Sequence, residues 1–474
     1  MGPQSNRTKG SLEVTSQNAP SQRRFPRQRP DSGPAIDTPG LAARKAAARL
    51  LAAVIDARTP LDGLTDNEHG HPQYMALDMR DRALVRAILA TALRHRVTIG
   101  SLISRRLDKP LPANATALSH ILHVAAAQIL FLDVPDSAAV DLAVTHAKSD
   151  PRTIRFSGLV NAVLRALARA KDSELAKTLA ETDDAPEWFR TRLIEAYGGD
   201  EARFILSAHR LEAPVDITVK SDPEVWAKRL GGMVLPTGSV RLEKLTMPVT
   251  ELPGFNDGAW WIQDTAASLP ARLLGDIRNL RVADLCAAPG GKTAQLILAG
   301  ANVTAVDTSK SRLARLTQNL QRLGLSADVV QADLLKFEPK ELFDAVLLDA
   351  PCSSTGTVRR HPDVPWSKTP DDIVKLADLQ RRLLAKALAL TKPGGTVVFS
   401  NCSLDPLEGE DLLDRVLAQT PSAHLDRILP SEVDGIAPFV TERGTLRTTP
   451  AGLVLDRASW SGLDGFFAAR LRKT

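Results

Sequence analysis

After Trp260 the sequence adopts a pattern that few architectures accept. Short apolar runs of strand length fall at Arg281–Leu285, Val303–Val306, Ala327–Val330, Ala345–Leu348 and Thr396–Phe399. Helical runs separate them, notably Ser309–Leu323 and Asp371–Leu390. Strands that are apolar throughout, rather than on alternate residues, must be buried on both faces, as happens when crossover helices cover both sides of a parallel sheet. The alternation therefore predicts a doubly wound α/β domain. In such a domain ligands bind at the C-terminal ends of the strands, where the strand order reverses.

The front of the chain reads differently. Apolar residues recur at three- and four-residue spacing in Ala42–Asp56, Asp81–Arg96, Ile99–Arg106, Ala115–Leu132, Ser137–Ala147 and Ser157–Ala170, with no strand signal between them. This predicts an all-α domain over residues 38–171. Residues 172–258 are mixed: Trp188, Phe189, Leu193 and Tyr197 share a helix face, and a strand (Val215–Lys220) and a helix (Pro223–Leu230) follow. They read as a connecting subdomain able to share in RNA binding, before an α/β domain over 259–474. Residues 1–37, rich in Ser, Gln, Pro, Asn and Arg, lack the apolar surface needed to offset ordering and read as a disordered basic tail. Arg23, Arg24, Arg27 and Arg29 are free to touch phosphates there, and prolines at 26, 30 and 34 break any amphipathic targeting helix. A length of 474 residues suits such a multi-domain chain.

Charge is divided along the chain. Residues 41–170 carry 17 Lys and Arg against 11 Asp and Glu, and the first 40 carry 6 against 3; with a whole-chain charge of +5, the remainder is net acidic. A basic front and an acidic back suit a polyanion-binding module joined to a catalytic one. No apolar run is long enough to span a bilayer and no secretory signal is visible, so a cytoplasmic location is expected. The three cysteines, Cys286, Cys352 and Cys402, include no CxxC pair, so neither a disulfide framework nor a metal is expected.

The chemistry-bearing residues cluster at predicted strand ends. The first strand leads into Asp284-Leu-Cys-Ala-Ala-Pro-Gly-Gly-Lys-Thr293. A phosphate-binding P-loop needs Gly at 286, where Cys286 stands, and the dinucleotide fingerprint GxGxxG is absent. What remains is a tight small-residue turn that lets backbone approach a ligand before a helix begins. The second strand ends in Asp307, where an acid can grip a ribose diol, and the third in Ala332-Asp333, placed to meet an adenine amino group. The fourth ends in Asp349-Ala-Pro-Cys352 and the fifth in Ser400-Asn-Cys-Ser403. If these two strands are neighbours, both thiols face one cleft.

On Asp284–Thr293, Asp349–Pro362 (DAPCSSTGTVRRHP), Phe399–Glu408 (FSNCSLDPLE) and Asp464-Gly-Phe-Phe467, the chain resembles the RNA cytosine-5 methyltransferase family from about residue 40 onward. Arg359-Arg-His-Pro-Asp363 narrows the resemblance to the bacterial RsmB (Sun/Fmu) type, which acts on small-subunit (16S) ribosomal RNA. Ile121–Val134 and Phe156–Arg165 resemble the RNA-binding NusB domain. The resemblance implies a NusB-like front domain plus a Rossmann-like class I methyltransferase domain. Its cofactor would be S-adenosylmethionine, its partner RNA, and the protein a monomer. It assigns Cys286, Ala287, Ala288, Pro289, Gly290, Gly291 and Lys292 to the cofactor's methionine part, Asp307 to the ribose and Asp333 to the adenine. Asp349 would adjoin both methyl donor and target base. Cys402 would be the nucleophile and Cys352 would assist product release.

Two departures stand out: Asn401 precedes the nucleophile where Thr is usual, and Ser354 stands where the family commonly has Gly. The tetrapeptide Asn/Asp-Pro-Pro-aromatic of amino-group methyltransferases is absent from the fourth strand end, which disfavours an exocyclic amine as target. The alternatives are a tRNA cytosine-5 methyltransferase, which would not need the NusB-like front, and a catalytically silent RNA-binding or ribosome-assembly protein, against which the intact thiols and acids argue.

Overall fold

Six helices, Leu41–Ala57, Met79–Arg94, Arg96–Ser104, Thr116–Phe131, Asp136–Ser149 and Ser157–Glu181, enclose the first core in a computed structural model that describes residues 38–474. The tail expected at 1–37, with its four arginines, lies outside the described residues. Thr116–Phe131 is apolar almost all round because neighbours cover nearly all of it. Two of its buried polar side chains reach partners: His120 meets Asp56 at 3.0 Å, and Gln128 accepts from Arg44 Nε at 2.9 Å. The second and third helices are separated by His95 alone, which stacks on Phe131 with ring centroids 4.0 Å apart. The sixth runs beyond its expected end at Ala170 to Glu181. The extension is tied down from outside: Arg105 and Arg106 pair with Glu174, Arg105 also with Glu181, and Lys171 with Asp136.

A long helix, Glu187–His209, bends at Gly198 (φ 79°, ψ 166°) and leads to four antiparallel strands. These are β1 (Val215–Val219), β2 (Met233–Val234), β3 (Val240–Leu242) and β4 (Trp260–Ile262), in the order β2-β3-β1-β4. The sheet is anchored by Arg241, which donates two bonds of 2.7 Å to Asp216, both fully buried.

Next come β5 (Arg281–Leu285), β6 (Asn302–Asp307), β7 (Asp328–Gln331), β8 (Phe343–Asp349) and β9 (Thr391–Asn401), all parallel. β10 (Ala423–Leu425), β11 (Leu446–Thr448) and β12 (Phe466–Lys473) complete the sheet. Its order is β10-β12-β9-β8-β5-β6-β7, with β11 also on β12. The five predicted strands are present within a few residues of their expected bounds. β12, antiparallel to β9, was not foreseen; its motif Phe-Phe-Ala-Ala-Arg-Leu-Arg-Lys has neither strict alternation nor helical spacing. Strand order reverses between β5 and β8, which puts the switch point beside Asp284 and Asp349.

Residues Gly40–Thr474 form one compact unit, and one stretch of chain knits it together. The segment 355–369, which follows Cys352 closely, lies against the helical domain. Asp363 accepts from Leu61 N at 2.9 Å, Arg94 donates to Arg359 O at 2.9 Å, and Trp366 Nε1 donates to Leu93 O at 3.1 Å. Trp366 packs on the helical core, under the Arg96 guanidinium. At its start, Gly356 N donates to Cys402 O at 2.9 Å and Gly356 O accepts from Gly465 N at 2.8 Å. A Cβ at Gly356 would fall 2.0 Å from Gly465 O, so only glycine allows this backbone-on-backbone approach. No described helix is long and apolar enough to cross a membrane.

Candidate active site

The turn after β5 is built for close approach. Cys286 and Gly290 both take positive φ (63° and 101°), and the helix Gly291–Leu298 begins at once. A Cβ at Gly290 would touch Leu316 Cγ at 3.0 Å, so the absent side chain lets the turn lie on its neighbouring helix. Asp284 is fully buried at the end of β5 and accepts from Thr293 Oγ1 at 2.6 Å, while its Oδ1 has no partner. Burial pushes its carboxyl up to about 7, with the nearby Asp349 adding to the rise. Burial likewise pushes the Cys286 thiol up to about 12, which keeps it protonated and unreactive.

Asp307, at the end of β6, accepts from Ser309 N at 3.0 Å and Ala288 N at 3.3 Å, so the second strand end is stitched to the turn after the first. Asp333 caps the short turn Leu334–Lys336 through Leu335 N and stays exposed. A cavity of about 420 Å3 runs from Asp307 and Asp333 to Asp349 and both Cys352 and Cys402. A second, of about 520 Å3, shares Asp349 and Ala288 and takes in Asp284, Lys292, Trp261 and Asp464. Asp349 accepts from Lys292 Nζ at 2.7 Å and from Ser400 Oγ at 3.0 Å, and Lys292 lies 5.0 Å over the Phe466 ring. S-adenosylmethionine suits these donors and acceptors: Asp307 keeps lone pairs for a diol, the 286–290 turn offers backbone, and the orphaned Asp284 Oδ1 is an acceptor for an ammonium.

The pairing of β8 with β9 brings the two remaining thiols together, Sγ to Sγ 3.3 Å. The hydrogen bond between them divides their behaviour. Cys402 is lowered from the usual thiol range, first by its bond with Cys352 and then by one with Ser354, against burial and the Asp349 and Asp464 carboxylates. Cys352 is raised well above it, first by the same bond and then by burial.

Beneath the thiols lies Glu408, buried and raised by burial, a residue to which the sequence assigned no role. It accepts from Ser353 N (2.9 Å), Ser403 Oγ (2.6 Å), Gln380 Nε2 (2.8 Å) and the Ser353 hydroxyl. Asn401 joins the same scaffold, donating to Glu408 O at 2.7 Å and accepting from Ser403 N at 2.9 Å. Both cysteine loops hang from this one carboxyl group. Arg360 and Asp464, visible in the sequence only as parts of motifs, meet each other: Arg360 donates to Asp464 (3.2 Å) and Asp264 (2.6 Å). The only sequence signal for these was their presence inside long motifs, which gives membership but no geometry.

A doubly wound sheet that offers a small-residue turn and successive strand-end acids at its switch point defines the Rossmann-like, S-adenosylmethionine-dependent methyltransferases, here joined to a helical domain of NusB type. A model of the NusB family matches residues 41–169, and one described as 16S rRNA methyltransferase RsmB/F matches residues 272–472. The chain is 34% identical to Ribosomal RNA small subunit methyltransferase B of Vibrio vulnificus over 82% of its own length and 96% of that protein's; against the Xylella fastidiosa protein of the same name the figures are 36%, 92% and 98%. It belongs to the 16S rRNA methyltransferase RsmB/F family. The solved protein PH0851, 23% identical, shares the fold over 92% of this chain and all of that one, with a TM-score of 0.69.

Proposed function

We propose that this methyltransferase acts on carbon 5 of a cytosine in small-subunit ribosomal RNA, through a covalent bond between Cys402 and carbon 6. The observation that supports this most is the 3.3 Å approach of the Cys352 and Cys402 thiols at the wall of the cavity that also holds Asp307 and Asp333. A methyltransferase aimed at an amine or hydroxyl has no use for such a pair. The names of the relatives and the NusB-type front domain support ribosomal RNA over tRNA.

Carbon 5 of cytosine is a poor nucleophile, and addition of the Cys402 thiolate to carbon 6 makes the ring enamine-like. The bound cofactor supplies an electrophilic sulfonium methyl. The Lys292–Asp349 pair, in contact at 2.7 Å, answers the charge that builds at ring nitrogen 3. After methylation a base takes the carbon 5 proton, and the electron pair left behind re-forms the 5,6 double bond and expels Cys402 as a thiolate. Cys352, whose sulfur lies 3.3 Å from that of Cys402, is placed to assist this release. The target base has to leave its stack to reach the cleft.

Two single variants test the assignment on one denaturing gel with labelled RNA. Cys402→Ala should abolish both methyl transfer and any covalent complex. Cys352→Ala should accumulate a protein–RNA adduct that survives denaturation, and RNA containing 5-fluorocytosine should trap the unaltered protein in the same way, because fluorine cannot leave as a cation. An adduct from Cys402→Ala but not from Cys352→Ala reverses the two roles. No adduct from any of the three removes the covalent mechanism.

A further inference from the structure

Ser354 occupies a conformation that serine rarely takes. Its φ and ψ are 60° and 24°, the left-handed region, where any residue with a Cβ is strained and glycine is not. Strain of this kind persists at functional sites when it aims a group at something. Here the side chain meets sulfur: Ser354 Oγ accepts from Cys402 Sγ at 3.6 Å and lies 4.0 Å from Cys352 Sγ. Among the described residues this hydroxyl makes no other hydrogen bond. Its hydroxyl neighbours are committed elsewhere, Ser353 and Ser403 to Glu408, and Thr355 to Leu404 N at 2.9 Å.

The charges around Cys402 explain why such a donor matters. Reactive thiols usually ionise beside a cation or a helix N-terminus. The groups facing this sulfur are the Cys352 thiol and the Asp349 and Asp464 carboxylates, and Glu408 acts on Cys352 from below. The nearby cations are spent on the acids, Lys292 on Asp349 and Arg360 on Asp464 and Asp264. An ionised Cys402 is therefore left to hydrogen bonds from the Cys352 thiol, 3.3 Å away, and from the Ser354 hydroxyl, which accepts from the thiol and must turn to donate to the thiolate.

We propose that Ser354 is a positioning residue for the nucleophile: its hydroxyl donates to the ionised Cys402 sulfur, and the turn holds serine in a glycine conformation to keep it there. This rests on Cys402 being the nucleophile, and the test separates the two claims. In the full chain, Ser354→Gly and Ser354→Ala are compared with the parent for iodoacetamide alkylation at Cys402, mapped by mass spectrometry between about pH 6 and pH 10. Melting temperature and the pH profile of methyl transfer to transcribed 16S rRNA are measured beside it. Both variants should move the alkylation midpoint to higher pH, slow alkylation roughly 3–10-fold at neutral pH and rejoin the parent rate at high pH. Ser354→Gly, freed of the strained backbone, should also melt higher than the parent. An unmoved midpoint in both variants, or a loss equal at every pH, overturns the proposal. A midpoint that moves while methyl transfer keeps its pH profile leaves the hydrogen bond standing and removes Cys402 as nucleophile.

Discussion

Asp284 carries a proton ledger that the cofactor should read. Its folded value of about 7 lies above the ordinary 3.8, so between roughly pH 4 and pH 7 the native state holds a proton that the unfolded chain has lost. Stability from this group therefore falls as pH rises through that window. A bound ammonium opposite its free Oδ1 favours the carboxylate instead. Cofactor binding near pH 6 should then release a proton, seen as a dependence of calorimetric heat on buffer ionisation enthalpy, and Asp284→Asn should abolish that dependence. Asp307→Ala should weaken S-adenosylmethionine by roughly 1–3 kcal/mol, the cost of leaving a ligand's polar group unpaired; unchanged affinity would remove the ribose assignment. Asp284, Asp307 and the cysteines were legible because each is a chemically distinctive type at a predicted strand end. Ser354 was legible only as a departure from the family's Gly and Glu408 only as the end of a motif, because their placement lies in a positive φ and in four converging donors, and neither leaves a periodic trace.

At the scale of elements, long buried segments read well and irregular ones poorly. β5, β8 and β9 announce themselves because both faces are covered and their cores are apolar runs. The segment 355–369 has no period to read, since single side chains and carbonyls hold it rather than a repeating face. It nonetheless links the Cys402 backbone, through Gly356, to the helical core, through Trp366. Trp366→Ala should cost about 2–4 kcal/mol, somewhat less than truncating a fully buried Trp. If the segment positions the thiols, the same variant should slow Cys402 alkylation under conditions where the protein is still folded. Unaltered alkylation would confine Trp366 to packing.

For the molecule as a whole, the uneven charge has a measurable consequence. The helical region 41–170 carries six more cations than anions, and Lys148, Arg155, Arg165 and Arg169 are exposed on it. Replacing these four with Gln should flatten the dependence of RNA affinity on salt by about 0.7–0.9 in the log–log slope for each phosphate that is no longer neutralised. An unchanged slope would mean that the RNA meets another face. The division into a basic front and an α/β back was plain in the sequence, whereas the way the two interlock was not, because Leu61 and Asp363 stand 302 positions apart. That interlock limits how such a protein can be rebuilt. One short stretch begins beside a thiol and ends in an indole wedge for the neighbouring domain, so the front domain is not a detachable cartridge. A recombinant that imports a foreign front domain keeps a loop beside the thiols that is shaped for a different surface. The successful exchanges should be those whose crossover carries residues 355–369 along with the helices they touch.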